Sequence, residues 1–63
     1  MNSLSEIRLT FLTEALRARL ESVRLTTAVA VRLGETIPSA TVLRWTTELT
    51  TLVAQIGRVV QTP

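Results

Sequence analysis

Residues 42–60 read VLRWTTELTTLVAQIGRVV. Val42, Trp45, Leu49, Leu52, Ile56 and Val59 recur at alternating steps of three and four, which puts them on one side of an α-helix. Arg44, Glu48, Thr51, Gln55 and Arg58 follow the same spacing on the opposite side, where water belongs. An apolar stripe this clean needs a second helix to cover it. The only candidate in a chain of 63 residues is the segment before it.

That segment begins Ser3-Leu4-Ser5-Glu6, the pattern of a capping box in which the serine hydroxyl and the glutamate side chain each satisfy a free backbone amide. A first helix is expected over about 4–33. No proline or glycine interrupts it before Gly34, the residue expected to end it in the left-handed conformation. Glu6, Thr10, Thr13, Arg17, Glu21 and Arg24 form its wet stripe, with Arg17 and Glu21 spaced as an i,i+4 ion pair. Residues 34–38, GETIP, are the turn. Pro38 opens the second helix, over about 38–60, with Thr36 or Ser39 as its N-cap.

Folding the chain at the turn brings two seams together. Ala30 faces Val42, Thr27 faces Trp45, Val23 faces Leu49, Leu20 faces Leu52, Leu16 faces Ile56 and Leu12 faces Val60. The small Thr27 and Ala30 leave room for the tryptophan. Gly57 weakens the second helix relative to alanine, or marks a close helix crossing, or the start of fraying. The expected fold is therefore all-α, a single antiparallel helical hairpin spanning residues 1–63.

The first helix also carries a second apolar face: Leu4, Ile7, Phe11, Ala15, Ala18, Ser22, Leu25 and Val29, continuing to Leu33. Arg8, Arg19 and Thr26 form the ridge between the two faces. One neighbouring helix covers only one of them. Small domains that bury too little of their own surface make up the deficit by association. The hairpin is expected to be completed as a four-helix bundle of copies, or as a heteromeric helical assembly.

Composition narrows the class of action. Hydrophobic residues are 46% of the chain and charged residues 19%, too apolar for disorder. There is no apolar run long enough to span a membrane and no signal-peptide layout at the N-terminus, so a cytoplasmic protein is expected. All seven basic residues are arginine, as a GC-rich genome favours, and the net charge is only +2. The five glutamates are interleaved with them rather than leaving a basic stripe. His, Cys, Lys, Tyr and Asp are absent. That removes the common general bases, the thiol and amine nucleophiles and the usual metal ligands. With only Gly34 and Gly57 there is no glycine-rich phosphate loop. No catalytic, cofactor or metal site is expected.

Thr46, Thr47, Thr50 and Thr51 lie inside the second helix, where threonine is a mediocre helix former. Each hydroxyl is expected to bond back to the carbonyl four residues earlier, leaving a smooth, mostly apolar strip. The run from Leu25 to Trp45 resembles a helix-turn-helix: Ala30 precedes Leu33-Gly34, and Thr41-Val42 precedes Arg44-Trp45. That resemblance implies DNA binding, although the turn is about two residues longer than the motif's and the second helix runs on to Val60. The expected function is a protein-interaction module, a self-associating or partner-capturing hairpin of regulator, inhibitor or co-chaperone type. DNA binding and a small structural subunit are the alternatives. Arg44 separates the first two, pairing with Glu48 in one case and facing solvent beside other arginines in the other.

Overall fold

A computed structural model describes residues 3–61. It is an all-α hairpin of two helices, α1 (Ser3–Leu33) and α2 (Ser39–Gln61). They pack against each other along their length. The capping box expected at the start of α1 rests on the Ser3 side chain, which lies outside the described part of the chain.

α1 ends as its sequence requires. Gly34 has φ of 69°, in the left-handed region. Its N–H donates to the Val31 carbonyl at 3.2 Å, and the Glu35 N–H donates to the Ala30 carbonyl at 2.9 Å. These two bonds form a Schellman motif, which satisfies carbonyls that the helix end would otherwise leave free. A side chain at position 34 would carry the steric cost of the left-handed region.

The start of α2 differs from expectation. The Pro38 carbonyl accepts from the Thr41 N–H at 3.0 Å and from the Val42 N–H at 3.2 Å. Pro38 therefore holds the cap position, and neither the Thr36 nor the Ser39 hydroxyl caps the helix. Proline suits the place because it fixes φ and brings no amide of its own to satisfy. Ile37 is half-buried beside it and anchors the turn.

The hairpin is a single layer. Its extents are 48 × 17 × 10 Å, so it is one helix thick. The radius of gyration is 14.9 Å, against about 11 Å for a compact domain of this length. None of the described residues is fully buried. The chain exposes 5158 Å², about 1,100 Å² more than the ~4,000 Å² of a compact monomer of its mass.

The seam follows the expected residues with a roll of α1. Leu12, Leu16 and Val23 on α1, and Trp45, Leu49, Leu52 and Ile56 on α2, are half-buried. Leu9 and Ser5 join them toward the open end. Leu20 remains 49% exposed, and Val42 and Thr27 are exposed as well. At the open end the seam passes through Val59, which shares a groove with Leu12, while Val60 is 65% exposed. The pairing of Leu12 with Val60 is thus replaced by Leu12 with Val59, one residue around the helix. Trp45 borders a small cleft with Arg19, Ser22 and Val23. Gly57 stays helical, and a Cβ there would meet nothing within 4 Å, so it marks neither a close crossing nor a frayed end.

Candidate interaction surface

The hairpin leaves the second apolar face of α1 uncovered. Leu4, Ile7, Phe11, Leu25, Val29 and Leu33 are all more than half exposed, Phe11 most of all at 73%. Ala18 and Ser22, between the two apolar ends, are exposed too. Ala15 is the exception, half-buried within the hairpin. The helical period explains the arrangement. The two faces of α1 are separated by Arg8, Arg19 and Thr26, and α2 is wide enough to cover one.

Three concave regions lie along this side of the molecule. At the open end, Ser5, Arg8, Phe11 and Leu12 of α1 face Gln55, Arg58 and Val59 of α2 across a groove of about 480 Å³. At the turn end, Leu25 and Val29 face Ile37, Pro38 and Thr41 across a groove of about 440 Å³. The cleft between them is tight, about 20 Å³. It is closed by an ion pair in which Arg19 Nη1 lies 3.3 Å from Glu48 Oε2. α1 thus contributes the apolar wall, and the polar side of α2 forms the rim. Gln55 and Arg58 were not foreseen as lying across from Phe11, because their meeting depends on how the two helices roll against each other.

The charged side of α1 is organised within the helix. Arg17 donates to Glu14 Oε2 from Nε at 3.3 Å and from Nη2 at 2.9 Å. Arg24 holds Glu21 with both nitrogens, Nε to Oε2 at 3.1 Å. The expected pairing of Arg17 with Glu21 is replaced by these two i,i+3 pairs. The hydrogen bond from Arg24 holds the Glu21 carboxyl below the usual carboxylate range. The hydrogen bonds to Glu14 and Glu21 raise the Arg17 and Arg24 guanidinium groups above their ordinary values.

On α2, Thr46 donates to the Val42 carbonyl at 3.0 Å, Thr47 to Leu43 at 3.0 Å and Thr51 to Thr47 at 2.8 Å. Three of the four hydroxyls are thus satisfied internally, as back-bonding predicts, while Thr50 makes no such bond. Thr46 and Thr50 are exposed beside Leu43 and Val53. They make a second, less apolar strip on α2. Arg44 is exposed, and Glu48 is turned to Arg19 rather than to it, so the Arg44–Glu48 pair expected of an interaction module is not formed. Among the described residues no group of three or more carboxylates could hold a metal, and no helix is long and apolar enough to cross a membrane.

Compared with known proteins, the chain matches no family model, no curated protein and no solved structure.

Proposed function

We propose that this chain is a small, non-catalytic protein-interaction module whose α1 offers the Leu4, Ile7, Phe11, Ala18, Ser22, Leu25, Val29 face to another apolar helix. The observation that carries the reading is the uncovered row itself. Soluble monomers avoid a contiguous apolar patch of this size, and such patches mark binding surfaces. Ala18 and Ser22 at its middle let a second helix backbone approach closely, while Phe11 and Leu25 supply contact area on either side. Helix-against-helix docking on spaced apolar anchors is a common recognition mode. A catalytic role has no support in a sequence without His, Cys, Lys, Tyr or Asp. The helix-turn-helix reading has little, since α2 runs for 23 residues with its seam packed on α1 and no free recognition helix remains.

The test is the molar mass of the purified protein by light scattering, with circular dichroism as the control for folding. Phe11→Asp and Leu25→Asp each place a charge where the contact would bury it. Both are expected to abolish association while the helices persist. Thr10→Ala, on the wet stripe, is expected to leave the mass unchanged. Association that survives both aspartates would move the interface to another surface, the Leu43, Thr46, Thr50, Val53 strip being next in line.

A further inference from the structure

Resting on that reading, we infer that the occupant of the α1 face is a second copy of the same chain, docked antiparallel about a two-fold axis that passes beside Ala18. An isologous contact brings residue i of one copy to residue j of the other, and j to i. A helix that pairs with itself antiparallel must therefore carry a pattern that reads alike from both ends. The exposed face of α1 does so. Phe11 and Leu25 stand seven residues to either side of Ala18, and Ile7 and Val29 stand eleven to either side. Ala15 and Ser22 flank the centre, and Leu4 and Leu33 close the two ends. Large side chains sit toward the ends and small ones at the crossing, where two helix axes come closest.

The charges point the same way. About the neighbouring Arg19, Glu14 and Arg24 are five residues to either side, Arg17 and Glu21 two, and Glu6 and Arg32 thirteen. Reversal of the helix turns each acid into a base; this centre lies one residue from Ala18, so in the Phe11–Leu25 register an antiparallel copy brings each acid to within about 3 Å, along the helix axis, of the matching base, a distance that flexible side chains span. A parallel copy presents every charge to itself. Arg19, near the axis, would meet its own copy in either case, but it is held by Glu48 at 3.3 Å. Antiparallel helices also oppose their dipoles favourably.

The exposed area is sufficient for a second copy. The six large apolar side chains from Leu4 to Leu33 expose roughly 700 Å² per chain, close to the ~800 Å² that each partner gives to a standard stable interface. The two-fold also sets the open-end groove of one copy, about 480 Å³ beside Phe11, against the turn-end groove of the other, about 440 Å³ beside Leu25. Phe11 of each copy then lies against Leu25 of the partner subunit, a contact made twice.

The chain has no cysteine, so crosslinking reads the register directly. Phe11→Cys and Leu25→Cys chains are prepared separately, then mixed and oxidised. Both positions are exposed, and circular dichroism checks that each variant folds. The antiparallel dimer gives a mass of twice the 7.0 kDa chain. It forms a disulfide only between the two different variants, and neither variant crosslinks with itself. Glu14→Arg weakens the dimer, and Arg24→Glu on the same chain restores it. Self-crosslinking of Phe11→Cys would show a parallel pairing, which overturns this inference but leaves the interaction surface in place. A dimer that crosslinks in neither way would overturn both. A helical protein of single-chain mass would overturn the second copy as occupant.

Discussion

Arg19 of α1 and Glu48 of α2 meet at 3.3 Å across the hairpin, on the same side of the molecule as the uncovered apolar face. The pair ties the middle of one helix to the middle of the other and marks which side of α2 faces the α1 ridge. Both side chains keep substantial exposure, 60% and 35%. Exposed pairs of this kind contribute less than about 1 kcal/mol. Glu48→Gln is therefore expected to leave the hairpin folded with a small loss in its urea midpoint, and that loss should shrink as salt is added. A loss above about 2 kcal/mol would mean the carboxylate is far less hydrated than its exposure indicates.

Gly34 and Gly57 predict opposite outcomes for the same substitution. Gly34→Ala forces a Cβ into the left-handed region and should destabilise by about 1–2 kcal/mol. Gly57→Ala meets open space inside a helix and should stabilise by up to about 1 kcal/mol. Denaturant melts at one fixed protein concentration compare them. A stabilising Gly34→Ala would argue against the Schellman geometry of the turn.

Truncations along the seam should rank by position. Leu16→Ala and Leu49→Ala remove half-buried side chains between the helices, whereas Leu20 is nearly half exposed. The first two should each cost about 2 kcal/mol, at the low end of the range for buried leucines, and Leu20→Ala distinctly less. Equal losses at Leu16 and Leu20 would show that α1 is not rolled as described.

Glu21 predicts an acid sensitivity with a definite sign. Arg24 lowers its folded pKa below the ordinary 4.5. The contribution of that contact is therefore present above the ordinary value and is lost as pH falls through the lowered one. Helicity of Glu21→Gln should sit slightly below that of the parent at neutral pH, and the two should converge in strong acid. A difference that widens on acidification would contradict the assignment. The same titration reads the pairing of Arg24 with Glu21, since Arg24→Gln should remove most of it and leave the smaller lowering due to Arg17.

Both helices and the turn between them were legible from local pattern. An apolar residue every three or four positions, a glycine after Leu33 and a proline at 38 each act through bonds and contacts within a few residues, so no knowledge of the partner helix is needed. The same reasoning found the apolar seam on α2, because α2 has one dry side. It also found the second face of α1, since a face too many shows in the period of a single helix.

Packing settled what period leaves open. α1 has two apolar faces, and both fit a 3.6-residue repeat. Its roll against α2 follows from which side chains interlock, and that roll exposes Leu20 and Thr27, draws Ala15 inward and sets Val59 rather than Val60 against Leu12. The ion pairs were open for a related reason. Arg17 has glutamates within reach both three residues before it and four after, and Glu48 has Arg44 on its own helix as well as Arg19 opposite. Local spacing permits every one of these pairs, and rotamers and the distance between the helices select Glu14 for Arg17 and Arg19 for Glu48.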